Sequence, residues 1–229
     1  MLHPKYYIDE RSFSIQYMQR KGFTEMNKPH GHEGYELYYL LNGERTYFIN
    51  QKVYTAEKGS MIFINPHDVH RTSSTEVQEF ERILVNFSHD FIKPLLACSK
   101  HRLLPFPEHT NCISFPLREQ TSVEQLLLDM KRECRLKKDG YEDVIRALLF
   151  QLLFSIYRSL KSGGQKDEPK LHPMHEKISE IASYINGRFH ETITLNGLAQ
   201  RFYISPSYLS RAFKKVTGFH LHEYIRHIR

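Results

Sequence analysis

Cysteine is scarce in this 229-residue sequence, and its three copies, Cys98, Cys112 and Cys134, are odd in number and share no repeated ligand spacing. Neither a disulfide framework nor a thiolate zinc site is therefore indicated, and the thiols are expected to be reduced and partly buried. Long apolar runs are missing too. None follows the first residue, and the longest block, Ala147 to Phe154, is interrupted by Gln151 and far too short to span a bilayer. The expectation is a cytoplasmic protein with no membrane partner. No internal repeat or low-complexity block organises the chain.

What is present is enough apolar sequence for two domains and an uneven charge. From Lys170 to Arg229 nine Lys and Arg face four Asp and Glu, so five of the six surplus positive charges lie in the last quarter. A basic excess confined to one small module suits a polyanionic partner, with a solvated surface as the ordinary alternative.

That quarter has a helical rhythm. Leu195, Leu198, Ala199 and Phe202 fall at i, i+3, i+4 and i+7, and Leu209, Ala212, Phe213 and Val216 repeat the pattern. Ser205 is placed to cap the second helix and Pro206 takes its first position, leaving only Tyr203 and Ile204 as a turn. Two apolar-faced helices so tightly joined make a helix-turn-helix. The free face of the second carries Ser207, Ser210, Arg211 and Lys214 at the same spacing. Either it is a solvated polar face, or Ser207, Ser210 and Arg211 reach base edges while Lys214 and Lys215 meet phosphate.

The run from Ser205 through Ser207, Tyr208, Leu209, Ser210 and Arg211, then Phe213-Lys214-Lys215, Thr217-Gly218 and Tyr224-Ile225, resembles the AraC/XylS family of bacterial transcription factors. The resemblance runs from about Ile178 to Arg229. It implies a DNA-binding set of Ser205, Ser207, Tyr208, Ser210, Arg211, Lys214 and Lys215, double-stranded DNA as partner, a small-molecule effector such as a sugar or related metabolite, a homodimer and contact with RNA polymerase. The family's reading domain holds two helix-turn-helix units joined by a long helix. This sequence ends near the start of that joining helix, so an incomplete reading domain is expected, through loss of the second unit or because the sequence is a fragment.

Upstream the chain reads as short strands, at Ser12–Met18, Glu36–Leu41, Glu44–Asn50, Lys52–Thr55, Ser60–Asn65, Phe80–Phe87 and Asn111–Phe115, with Asn42-Gly43 as the strongest hairpin signal. An antiparallel barrel or sandwich is expected, with a helix at about His89–Ser99 across one end. Within it lie His30, His32, Glu36 and His70. In an extended chain the first three share parity and could face inward together. Their spacing, with Gly43 and Gly59, resembles the two motifs of the cupin family, although Ser74 stands where that family has Asn. Three readings stay open: a divalent metal on the tetrad, a small molecule with Tyr38, Arg45 and Tyr47 supplying further contacts, or histidines that satisfy one another. No cofactor is expected; any metal would be held by the tetrad.

After Pro116 the period turns helical. Val123, Leu126, Leu127 and Met130 mark one helix, ended by Lys137–Gly140. In Tyr141–Leu160 the set Ile145, Leu148, Leu149, Leu152, Leu153, Ile156, Tyr157 and Leu160 looks too wide for a helix resting on its own barrel. Either the remainder is a dimer surface or one chain consumes it. Ser162–Pro169 has linker composition, and Ile178, Ile181, Ala182 and Ile185 give a third stripe behind the reader.

The expectation is thus an α+β protein: a cupin-like sensor barrel over 1–118, a helical dimerisation segment over 119–161, a linker over 162–172 and an incomplete helix-turn-helix domain over 173–229. Its expected function is ligand-responsive transcriptional regulation, not enzymatic. The rivals are a metal-dependent cupin dioxygenase or isomerase using the tetrad, and a dimerising sensor fragment that does not hold DNA.

Overall fold

Runs rich in Tyr, Phe, Ile and Val build eight strands in the computed structural model, which describes residues 4–26, 28–107, 111–162 and 173–229. They are β1 (Lys5–Asp9), β2 (Phe13–Lys21), β3 (Tyr35–Ile49), β4 (Lys52–Glu57), β5 (Ser60–Ile64), β6 (His70–Ser74), β7 (Glu79–Phe87) and β8 (Cys112–Ser114). All pair antiparallel in the order β1-β2-β7-β3-β5-β8, with β4 and β6 flanking the second half of β3. The α+β class and cupin-like barrel are as expected; β1 and β6 are additions to the strands expected from sequence.

Asn42-Gly43 does not turn the chain, contrary to expectation. β3 continues through it as one 15-residue strand because β7 pairs with it on both sides of Leu41, from Tyr35 opposite Phe87 to Gly43 opposite Phe80, and β4 and β6 take up the pairing from Glu44 and Arg45. Tertiary pairing overrides the local turn signal, and the conflict is absorbed as a bulge at which Leu41 has no partner. Gly43 sits at φ +89°, where a Cβ would collide with the Glu79 carbonyl oxygen.

The bulge inverts which side chains point inward. Before it Tyr38 and Leu40 join the barrel interior and Leu37 and Tyr39 face out; after it Tyr47 and Ile49 are interior and Phe48 faces out.

On one outer face lie α1 (His89–Ala97), capped by Ser88, α2 (Leu117–Leu136) and α3 (Tyr141–Lys161). Lys137 in the left-handed region ends α2, as its stretch was expected to do. Of the wide α3 stripe, Ile145, Leu149, Leu152, Leu153 and Ile156 are buried in this chain's own core, and Leu148, Tyr157 and Leu160 are half-buried against it. The width of that stripe is therefore consumed within one chain, and Leu152 is a core residue rather than a seam residue. Of the cysteines, Cys134 is buried, Cys112 half-buried and Cys98 exposed, where partial burial was expected. The expected linker lies, apart from Ser162, outside the described residues.

The last quarter forms α4 (Pro173–Gly187), α5 (Leu195–Arg201), α6 (Pro206–Thr217) and α7 (Leu221–Ile228). Thr194 caps α5, Ser205 caps α6 and Gly218 at φ +82° closes it, so α5 begins, and α6 both begins and ends, at a sequence signal. The three apolar stripes meet in one core of Ile178, Ile181, Ile185, Leu198, Leu209 and Phe213. That core also takes in Phe48 and Val53 of the barrel, so the helix-turn-helix module sits on the outer face of β3 and β4.

Polar bonds add to that seat. The Val53 N–H donates to Ser179 Oγ at 3.0 Å, the Tyr224 hydroxyl to the Asn50 carbonyl at 3.1 Å, and Arg71 Nη1 to the carbonyls of Lys215 and Val216 at 2.8 and 3.4 Å. Arg71 thereby satisfies carbonyls that the C-terminal turn of α6 leaves free. Among the described residues no helix is long and apolar enough to cross a membrane.

Candidate functional site

The barrel holds an open cavity of about 1200 Å³. At its mouth His30 pairs with His70 through two backbone bonds, His30 N–H to His70 O at 3.1 Å and the reverse at 2.9 Å, which lays the loop before β3 against β6. His30 and His32 thus reach the site from a loop, not from a strand of common parity. The Nδ1 of His32 donates to the Gly34 carbonyl and that of His70 to the Asp68 carbonyl, at 2.8 and 2.9 Å. A carbonyl can only accept, so each ring carries a proton on Nδ1 and turns its Nε2 toward Glu36, at 3.3 Å for His32 and 4.0 Å for His70, and His32 Nε2 donates to the carboxylate when that ring is protonated on both nitrogens.

The tetrad expected from spacing is therefore brought together. Burial pushes the Glu36 carboxyl up, but the His32 bond, the charges of His70 and His32 and a 3.1 Å bond from Asn86 outweigh it and hold the group below its usual range. His32 is raised, chiefly by its bond to Glu36, whereas His30 is lowered by burial and by His70. One nitrogen from each of His30, His32 and His70 lies within 4.8 Å of the others. His70 Nε2 is buried without a hydrogen bond among the described residues. Three converging imidazoles with an orphan nitrogen and an adjacent carboxylate are a donor set that fits a divalent transition metal.

Deeper in the cavity the inversion at Leu41 places Tyr38, from before the bulge, beside Arg45 and Tyr47, from after it. The Tyr38 and Tyr47 rings meet edge to face at 5.1 Å. Burial raises the Tyr38 phenol to about 12, and its oxygen has no hydrogen-bond partner among the described residues. Arg45 Nη1 donates to the Thr24 carbonyl, Thr24 Oγ1 and Ser74 Oγ at 3.0, 3.0 and 2.8 Å, and its guanidinium lies 4.5 Å from the centre of the Phe80 ring. Sequence reasoning missed Arg82 and Asn86. Their signal was the alternation Phe80, Arg82, Leu84, Asn86 along β7, all four of which line the cavity.

On α6 the side chains of Ser207, Tyr208, Arg211, Lys214 and Lys215 are exposed and Ser210 is half-buried, so seating the module on the barrel leaves this face open. Ser205 is occupied as the cap, accepting from Tyr208 N–H at 3.3 Å, and Lys214 Nζ lies 2.6 Å from His220 Nε2.

Residues 16–153 match the family model described as the AraC-like ligand binding domain. The chain is similar to the HTH-type transcriptional activator RhaS of Escherichia fergusonii, 24% identical over 208 residues that cover 87% of this chain and 70% of the relative. RhaS of Citrobacter koseri is 23% identical over the same shares. Among solved structures, an apo ToxT variant from Vibrio cholerae aligns over 96% of this chain and 80% of its own at 12% identity, with a TM-score of 0.47.

Proposed function

This chain belongs to the family of AraC-like ligand-binding domains, and from that premise we propose that it is a ligand-responsive regulator of transcription. The barrel cavity takes a small effector, and α6 enters the major groove of double-stranded DNA. One observation carries the reading: consecutive residues of β6 face the two sites. His70 belongs to the cluster at the cavity mouth, and Arg71 holds the end of α6. An effector that contacts β6 therefore has a direct route to the seat of the DNA reader. It can alter DNA affinity only by its differential affinity for the seated and unseated arrangements.

In this reading Ser207, Ser210 and Arg211 meet base edges, and Lys214 and Lys215 meet phosphate. Tyr208 stands among them, and Ser205 acts through the cap it provides. The protein is a cytoplasmic regulator rather than an enzyme, and a homodimer would present two α6 helices to successive half-sites, where RNA polymerase could be engaged. Exposed Leu128, Leu136 and Val144 on α2 and α3 support such pairing. His30, His32 and His70, with Glu36 beside them, would hold a divalent metal, which would supply an anchor for an oxygen donor of the effector.

The test is a pair of substitutions titrated against specific and scrambled duplexes across salt concentrations. Arg211→Ala should cost about 1–3 kcal/mol on the specific duplex and relax discrimination at one base position. Lys214→Ala should weaken both duplexes alike and lower the salt slope by about one unit. Equal losses on both duplexes for Arg211→Ala would remove Arg211 from base reading and α6 from the groove.

A further inference from the structure

We infer that the effector carries an acidic group, a carboxylate or a phosphate, and that Arg45 and Arg82 are its seat in the depth of the barrel cavity. This rests on the reading of that cavity as the effector site and goes on to name the ligand's chemistry.

Both arginines are buried, Arg45 at 3% and Arg82 at 8% exposure, and both line the cavity. A buried cation is costly unless a counter-charge meets it. Elsewhere this chain obeys that rule: Arg71, at 4% exposure, is met by the Glu25 carboxylate at 2.6 Å. Among the described residues neither Arg45 nor Arg82 has a carboxylate within ion-pair distance. Glu36, the acid nearest the histidines, is committed to His32, His70 and Asn86.

The partners that the two arginines do have are neutral. Besides Thr24 and Ser74, Arg45 Nε donates to Thr72 Oγ1 at 3.3 Å, and Arg82 Nη2 donates to Gln16 Oε1 at 2.8 Å. Such bonds fix the direction of each fork without neutralising it. Burial and the nearby charge of Arg82 both depress Arg45, as expected for like charges held together in one cavity.

A third donor completes the seat. The Tyr38 hydroxyl is buried with no hydrogen-bond partner among the described residues, and Arg82 lies 5.6 Å from the centre of the Tyr38 ring. Hydroxyl groups of a neutral ligand could accept from these donors, but they would leave two buried positive charges uncompensated. An oxyanion satisfies the donors and the charge together, and the guanidinium fork matches both carboxylate and phosphate geometry.

The experiment uses the full chain with chelator present, so that no metal bound at the histidines can hold the anion. Melting temperature and calorimetric affinity are measured with acetate, inorganic phosphate, D-galacturonate and D-glucose 6-phosphate, and with neutral D-galactose and D-glucose. The acids should stabilise and the neutral sugars should not; the ranking of carboxylates against phosphates identifies the source of the acidic group. Arg45→Gln and Arg82→Met should each weaken acid binding roughly tenfold or more. The double variant Arg211→Ala/Lys214→Ala should leave acid binding unchanged, which separates the cavity from the basic face of α6.

A purely structural arginine would cost stability when removed. Here Arg82→Met should leave the ligand-free melting temperature unchanged or raised, because one of two like charges is gone. Acid binding that survives both arginine variants, neutral sugars that bind as well as the acids, or no response to any acid overturns the seat. Acid binding at the arginines with no change in DNA affinity would instead overturn the regulator reading and leave the seat standing. A neutral effector that changes DNA affinity would do the reverse.

Discussion

Two helical layers cover the barrel, and different forces hold them. The layer of α1–α3 has no core apart from the barrel's: Val123, Leu127, Met130, Ile145, Leu149 and Leu152 are essentially inaccessible and pack with Leu37, Tyr39, Phe63 and Val85 of the strands. The layer of α4–α7 has a core of its own, to which the barrel adds only Phe48 and Val53 and a few polar tethers. At roughly 1.5–3 kcal/mol per buried apolar side chain, the first contact cannot open without unfolding the protein, whereas the second is within reach of a ligand's binding energy. A regulatory signal therefore has one seam through which to act, the one beneath α4–α7.

Three substitutions sharpen that comparison, beginning with the most damaging. Leu152→Glu, in the α3 layer, should destabilise the whole chain by about 4 kcal/mol or more, because it puts an unpaired carboxylate where nothing can meet it. A urea melt with native stability, together with a shift from dimer to monomer, would instead return Leu152 to an intermolecular seam. Phe48→Ala, in the other seam, removes an aromatic side chain at 1% exposure and should cost about 3 kcal/mol. The loss should fall on one module's seating, so that thermal unfolding splits into two transitions; a single cooperative transition at lower temperature would mean that the layers are not mechanically distinct.

The smallest effect is expected from Arg71→Met. It leaves the α6 carbonyls and Glu25 to water and should cost about 1–2 kcal/mol, with faster amide exchange in the last turn of α6 and no change in the strands. If exchange in that turn does not change, Arg71 is not a tether.

Much of this was legible because local signals and tertiary demands agreed. Ser205, Pro206 and Gly218 bound α6 where their backbone preferences put them, and the Leu209, Ala212, Phe213, Val216 stripe is buried in phase. The tetrad also assembled from its spacing, although by a loop carrying His30 and His32 onto His70. Elsewhere the two levels disagreed. Asn42-Gly43 is a strong turn signal that lost to pairing with β7, which runs through both residues. The β6 segment, His70-Arg71-Thr72-Ser73-Ser74, has no apolar alternation, because its inward side meets polar groups of the cavity and its outward Arg71 meets a helix end. Arg82 sat in an alternation that reads as any barrel strand, and Phe48 and Val53 carry no mark in the sequence of facing a second module rather than water. Charge and periodicity are properties of one element, while a seat between elements belongs to neither alone.

The unpaired Leu41 has a consequence for how such a protein can change over evolutionary time. Because one unmatched residue sets the phase of everything after it, deleting it would swap the addresses of the whole second half of β3: Arg45 and Tyr47 would turn to the outside, and Thr46 and Phe48 to the inside. The same event would empty the cavity of its polar groups and strip the outer face of the aromatic on which the last four helices rest. The polar lining of the cavity and the mounting of the last four helices are thus inherited as one trait along this strand. Point substitutions can tune either alone, but a change in strand length at this position must lose both or keep both.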